Sequence, residues 1–347
     1  MTALELETPI PVVDLDRLER NLRRWQQHCD ELGLASRPHV KTHKCVEIAR
    51  RQVALGAGGL TCQTLGEAET MADAGLNDVL VPSNVVGEPK LARLARLLER
   101  ADVTVAIDDE GVLPGLDGAA ARAGKPLRVL VECDTGHGRT GVGSPAAASA
   151  LAVAVSRCAG LRFAGFLTYP SPPGSRIFLA AAVEGAQRHG LAVETVSAGG
   201  TPAMWAADAL RPTVTEYRAG TYAFHDRATV ASGAATLDDV ALTVCATVVS
   251  RPARDRAILD AGSKALSSDR SAAEGFGLVL EAPESSLVKL DEEHGYVELA
   301  NGDSLELGQQ VRIVPNHACV VPNLFAELAL TRDGAYAGRW TVDARAR

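Results

Sequence analysis

Arg37-Pro38-His39-Val40-Lys41-Thr42-His43-Lys44 is the first place where a strand-like run ends in residues that carry chemistry. Read as a strand, it alternates faces, so His39, Lys41 and His43 point the same way. A lysine held among polar groups at the end of a buried strand can form a Schiff base once its amine is deprotonated. The octapeptide alone also fits a surface lysine in a turn before a helix over 45–55.

The downstream pattern decides between them. Strand patterns recur at Ser36–Lys41, Gly59–Cys62, Val79–Pro82, Val103–Ile107, Arg128–Cys133, Arg162–Thr168, Val193–Ser197 and Thr213–Arg218. Helical periodicity lies between them, at Leu65–Ala74, Glu88–Glu99, Glu110–Ala123, Pro145–Cys158 and Ile177–His189. Such alternation implies parallel βαβ units, and eight units are the count that closes a (β/α)8 TIM barrel. An open doubly wound sheet shows the same alternation, but no Gly-x-Gly-x-x-Gly follows the first strand. Upstream, Thr8–Asp14 reads as a short strand, and Asp14 or Asp16 can cap a helix over Leu15–Leu32 that Gly33 stops. After Asp226 the rhythm becomes short strands with polar turns, from Val240–Arg251 to Gln310–Val314. The expected organisation is a barrel over 15–230 and an all-β domain over 231–347, joined by the N-terminal strand segment 1–14.

Composition narrows the function class. The chain has 347 residues, 46% hydrophobic and 22% charged, enough for a large core. A formal net charge of -8 without a basic run argues against a nucleic-acid surface. No apolar run approaches the roughly 20 residues of a membrane span, and Met1–Pro9 lacks a signal-peptide pattern. Seven cysteines with no Cys-x-x-Cys pair suggest reduced thiols and a cytoplasmic protein.

Barrel enzymes place their sites at the C-terminal ends of the strands. Those ends carry Lys41, Gln63, the run Glu132–Gly141 with Arg139, Tyr169, the turn Ser197–Pro202, and the turn Arg218–Tyr222. Glycine-rich turns after the seventh and eighth strands are where bare backbone amides approach a phosphate. A strand-end lysine with a phosphate cradle points to pyridoxal 5'-phosphate, which needs an amine and an anion nest. In the β-domain, His317 and Cys319 stand at i, i+2, hence on one face of an extended segment. Imidazole plus thiolate suits a divalent metal with open positions; a buried cysteine beside a hydrogen-bonded histidine is the other reading.

In order along the chain, these pieces resemble the alanine-racemase-like (fold-type III) pyridoxal-phosphate enzymes, and within them the D-threonine aldolase / D-serine dehydratase family. The matching residues are Thr8–Asp16, Arg37–Lys44, Val131–Gly141, Ser197–Pro202, Glu216–Tyr222 with Asp226, Asp260–Ser267, and Pro315–Cys319 with Asn323-Leu324. The resemblance implies that Lys41 is the catalytic lysine. It implies that Ser197, Gly199, Gly200, Thr201, Gly220, Thr221 and Tyr222 hold the phosphate, and that His39, Gln63, Arg139 and Tyr169 line the cofactor ring. His317 and Cys319 would bind a divalent metal (zinc, or manganese or magnesium) beside a small D-amino acid. A head-to-tail homodimer with sites at the interface is implied as well.

The chain departs from that pattern in places. Pro170–Ser175 is compact where the family often has a longer Tyr- and His-bearing loop. Cys319 is more typical of the zinc-dependent dehydratases than of the aldolases. Asp260–Ser267 lacks the tyrosine that alanine racemases use as second base, which makes an amino-acid racemase the weaker reading. The expected activity is a lyase acting on D-β-hydroxy-α-amino acids. Retro-aldol cleavage to glycine and an aldehyde is preferred, and zinc-dependent D-serine or D-threonine dehydration is the alternative. A single-domain pyridoxal-phosphate carrier would lack the β-domain.

Overall fold

Val, Ile, Leu and Phe dominate the strands of the first half, the composition of a parallel sheet buried on both faces. The computed structural model of the chain describes residues 6–270 and 274–345. The first five residues of segment 1–14, residues 271–273 and the last two of 231–347 lie outside the described residues. Contacts divide the chain into two compact units: Trp25–Lys41 with Val46–Gly220, and residues 6–24 with Thr42–Cys45 and Thr221–Arg345.

The first unit holds eight parallel strands: Ala35–Ser36, Leu60–Thr61, Asp78–Val81, Asp102–Ile107, Leu127–Cys133, Leu161–Thr168, Thr195–Gly199 and Glu216–Arg218. From the second to the eighth each pairs with its successor, and the first pairs with the eighth. A parallel bridge between His39 and Thr61 spans the remaining gap, where Thr61 N–H donates to Pro38 O at 2.8 Å. The sheet is therefore a closed (β/α)8 barrel. Leu80, Ala106, Leu130, Ala164 and Leu167 form a buried cluster along its strands. Helices Leu65–Asp73, Glu88–Arg100, Leu113–Ala123, Pro145–Ser156 and Ser175–Arg188 follow strands two to six. Thr64 and Ser144 cap the first and fourth of these helices by accepting the N–H of Glu67 and Ala147.

The strand expected over Ser36–Lys41 is shorter, and this corrects the alternation expected there. His39 makes the last bridge, and Val40–Thr42 is a 3-10 turn. Lys41 N–H meets His39 Nδ1 at 3.4 Å instead of a neighbouring strand. His39, Lys41 and His43 therefore do not share a strand face. Barrel closure is the cause. Once His39 N–H has bonded Ala219 O at 2.9 Å, the chain leaves the sheet to enter helix Val46–Ala54.

The second unit is strand-rich. The N-terminal strand Ile10–Asp14 pairs antiparallel with Leu242–Ala253 and parallel with Glu327–Arg332. Leu6, Ile10, Val12, Cys245 and Ala329 pack as one buried cluster there. Asp14 Oδ1 accepts the N–H groups of Asp16 and Arg17, both at 3.0 Å, and so starts helix Leu15–Leu32. Gln310–Pro315 lies between Leu242–Ala253 and Gly277–Val279. The C-terminal part of this unit begins at Thr221, ahead of the change of rhythm after Asp226. The short helix Arg227–Ala231 belongs to it, with Ala228 N–H donating to Asn316 O at 3.2 Å. The C-terminal hairpin Glu327–Arg332 and Ala335–Thr341 has no counterpart among the expected strands. Its second strand, Ala-Tyr-Ala-Gly-Arg-Trp-Thr, alternates exposed and half-buried residues with none fully buried, and glycine and alanine dilute its apolar face. Among the described residues no helix is long and apolar enough to cross a membrane.

Candidate active site

In the barrel unit, residues beyond three strand ends converge on the ring of Tyr169, which follows a fourth. Lys41 Nζ lies 5.9 Å from its centroid and the Arg139 guanidinium carbon 5.1 Å. His137 meets it edge-on, with centroids 5.9 Å apart and planes at 86°. Gly200, at φ 122°, sets its backbone beside the ring, where an added Cβ would make ordinary contact with Tyr169 Cε2 at 3.4 Å. His39 Nε2 and Gln63 Oε1 pair at 3.3 Å, which joins the ends of strands one and two. The turn after strand seven is held open by Ser171, whose Oγ accepts Gly199 N–H at 2.7 Å and donates to Gly199 O at 2.9 Å. Gly220 N–H meets Thr201 Oγ1 at 3.3 Å, linking the two glycine turns. Thr201 and Thr221 each open a 3-10 helix, and Tyr222 is buried within the second.

Ser197 is placed differently from these. Its hydroxyl donates to Glu216 Oε1 at 2.5 Å and accepts from Arg218 Nη1 at 2.5 Å. Arg218 also donates to Thr168 O at 2.8 Å. Glu216 Oε2 accepts Arg37 Nε at 2.6 Å, and Arg37 Nη1 reaches Asp78 Oδ1 at 2.6 Å. This chain of charges is fully hydrogen-bonded, which makes its burial tolerable. Burial pushes Arg218 down to about 10, against the opposing pull of Glu216 and Glu132. Ser197 thus serves the barrel interior, not the phosphate turn. Glu216→Ala should cost about 3–5 kcal/mol, because Arg37 and Arg218 both lose a buried partner. Thermal unfolding of the variant, set beside Glu216→Gln, checks this.

In the strand-rich unit, His317 and Cys319 are brought together by a turn and not by the extended segment expected: the strand ends at Pro315 and Ala318–Val320 turn. Asp226 sets that turn. Its Oδ2 accepts Ala318 N–H at 2.8 Å and lies 3.2 Å from His317 Nδ1. Its Oδ1 accepts the N–H and hydroxyl of Thr229, which caps the helix at 227. The Asp226 hydrogen bond, then that of Cys319, raises His317 to about 10. Burial pushes the Cys319 thiol up, yet hydrogen bonds from His317, Thr221 and Thr42 bring it below its ordinary value. Thr42 Oγ1 lies 3.1 Å and Thr221 Oγ1 3.5 Å from the sulfur. Thr42 is the residue after Lys41, and Thr221 the residue after Gly220.

These donors suit two groups. The amine of Lys41, the cationic Arg139, the ring of Tyr169 and the close backbone at Gly200 suit a planar aldehyde with a phosphate arm. A thiolate beside an imidazole whose other nitrogen meets a carboxylate is the donor chemistry of a divalent metal. Among the described residues no three His, Cys, Asp or Glu side chains are arranged to hold a metal ion.

Asp226, Glu216 and Arg218 lie within the matched motifs but carry no role in the sequence reading, and Asp78 is absent from it. A signal existed for two of them: Glu216-Tyr217-Arg218 puts two charges into a strand that closes a core. Asp78 gave none, since an acidic residue at a strand start is ordinary.

Comparison with known proteins places the whole chain. The profile described as "Alanine racemase, N-terminal domain" matches residues 13–228, and that described as "Putative serine dehydratase domain" matches 241–331. A D-threonine aldolase from Arthrobacter sp is 36% identical, over 98% of this chain and 93% of its own. The crystal structure of a D-threonine aldolase from Filomicrobium marinum superposes with a TM-score of 0.90 at 34% identity, covering 99% of this chain and 97% of that one. D-threo-3-hydroxyaspartate dehydratase from Delftia sp. HT23 superposes at 0.88 and 34%, covering 98% of each. That dehydratase also has a solved form described as a cysteine-to-alanine mutant in the metal-free form. The closed barrel, both matched domains and relatives that span its whole length show that the chain belongs to the D-threonine aldolase / D-serine dehydratase family of the alanine-racemase-like, fold-type III pyridoxal-phosphate enzymes.

Proposed function

We infer that the protein is a pyridoxal-phosphate- and divalent-metal-dependent lyase that cleaves D-β-hydroxy-α-amino acids to glycine and an aldehyde. The observation that carries this reading is the convergence of Lys41 and Arg139 on Tyr169, at barrel strand ends beside two glycine turns. Relatives named D-threonine aldolase support the substrate class. Lys41 would hold the cofactor, with Arg139, Tyr169, His39 and Gln63 about its ring and Gly199, Gly200, Thr201, Gly220, Thr221 and Tyr222 about its phosphate. His317 and Cys319 would hold the metal. Bound pyridoxal phosphate supplies an electron sink next to the amino acid's α-carbon.

The protein's own groups do the rest. Gly200 takes the positive φ of 122° that turns the main chain beside Tyr169. Tyr169 fixes the plane on which Arg139 stacks. Asp226 holds His317 by Nδ1 and so orients its ring beside Cys319. The His317 hydrogen bond, with Thr42 and Thr221 hydroxyls 3.1 and 3.5 Å from the Cys319 sulfur, holds its thiol below the ordinary value. In cleavage the β-hydroxyl gives its proton to solvent as Cα–Cβ breaks, and Lys41 would return one proton to Cα, so the proton lost at oxygen is matched by the one gained at carbon.

One observation favours a second reading. Cys319 beside His317 is the donor pair of a zinc site, and the relative solved metal-free after loss of a cysteine is a dehydratase. In that reading Lys41 removes the Cα proton and the hydroxyl leaves. Incubation with D-threonine and D-serine separates the two. Glycine plus acetaldehyde from D-threonine is the expected result, whereas 2-oxobutanoate and pyruvate would replace the aldolase by the dehydratase. A homodimer with its sites at the interface and a cytoplasmic location are part of this proposal.

A further inference from the structure

We propose that Asp134 is a positioning residue of the active site: its carboxylate shapes the loop after the fifth barrel strand so that His137 and Arg139 stand against Tyr169. The proposal rests on the proposed function, in which Arg139 and Tyr169 face the cofactor. The loop over 134–141 is closed at its neck. Asp134 N–H donates to Val142 O at 3.0 Å and Val142 N–H to Glu132 O at 2.9 Å. Gly141 sits in this neck at φ 106, and an added Cβ there would come 2.5 Å from Asp134 N, so only glycine fits. Its N–H donates to Asp108 Oδ2 at 2.8 Å, and Thr140 Oγ1 donates to Glu132 Oε1 at 2.8 Å.

Inside the neck one side chain organises the tip. Asp134 Oδ1 accepts the N–H groups of Gly136 at 2.9 Å, His137 at 2.8 Å and Gly138 at 3.2 Å, and Oδ2 accepts Gly138 again at 2.9 Å. Gly136 and Gly138 take positive φ values of 123° and 69°, which lets three successive amides turn toward one carboxylate. His137 lies between these glycines and Arg139 just beyond, and both side chains end on the same ring. The tip is solvent-exposed. Without the carboxylate its amides would be hydrated at small cost in stability, but nothing would fix the direction of the two side chains. A displacement of about 1 Å is enough to cost on the order of 100-fold in rate.

The test compares Asp134→Ala with Asp134→Asn in the full-length protein. Asparagine keeps the Oδ1 acceptor and thus three of the four bonds. Amide hydrogen exchange at 136–138 in cofactor-free protein should be fast in Asp134→Ala and slow in wild type and Asp134→Asn. In holoenzyme, Asp134→Ala should weaken pyridoxal-phosphate binding about 10-fold and lower kcat on D-threonine about 10- to 100-fold. Its Tm should stay within a few degrees of wild type, and Asp134→Asn should stay within about threefold of wild-type kcat. Unchanged exchange in Asp134→Ala overturns the proposal. So does a loss of activity that only tracks a lower Tm, or an Asp134→Asn variant as impaired as alanine. A wild type that binds no pyridoxal phosphate overturns the function reading instead, and the exchange result still decides whether Asp134 shapes the loop.

Discussion

Replacing Lys41 by alanine is expected to abolish turnover, with kcat down by a factor on the order of 10^4 or more, while the fold persists. Lys41 is partly exposed within a 3-10 turn and lies outside the buried barrel cluster of Leu80, Ala106, Leu130, Ala164 and Leu167. Its Nζ is the amine that approaches Tyr169 at the barrel strand ends. The wild type with pyridoxal phosphate should show an absorbance band near the visible edge, and the variant should not. Lys41→Arg is the sharper control. It keeps a long cationic side chain, yet a guanidinium cannot be deprotonated to attack an aldehyde. Both variants should fail alike, with Tm near wild type. An arginine variant that retains turnover would remove the lysine from the chemistry and with it the assignment of the cofactor.

The second large effect is expected at the donor pair. His317→Ala and Cys319→Ala should each lower metal content and reduce kcat/KM by on the order of 100-fold or more. Chelation of the wild type should reproduce the loss, and added metal should reverse it in the wild type alone. Asp226→Asn should fall between, with metal affinity weakened roughly 10- to 100-fold, because Asp226 orients His317 and anchors Ala318 without being a donor itself. Measuring bound metal beside activity separates the cases. Full activity after chelation would end the metal proposal and bring a racemase back into consideration. Loss of activity with metal still bound would instead make His317 an acid or base.

The chain carries much of this plainly. Strand patterns near 36, 60, 79, 103, 129, 162, 195 and 216 announce a barrel, because a strand buried on both faces must be apolar throughout and a parallel neighbour needs a helix to reach it. Active-site candidates are legible by the same logic: Lys41, Arg139, Tyr169, Gly200 and Gly220 all stand just after a strand, where a barrel puts its chemistry. What only the tertiary structure decided is which polar groups meet. Arg37 and Glu216 are 179 positions apart and Arg37 and Asp78 are 41 apart, yet they form one chain, buried except at Asp78, that ties Ser197 to the barrel interior. His317 and Cys319 were legible as a pair through their spacing, but their geometry comes from Asp226, 91 positions away, and from the turn it holds. Periodicity reports how each residue sits on its own element. A hydrogen bond between distant side chains depends on where closure of the barrel and pairing of the strands bring them, and no local pattern records that.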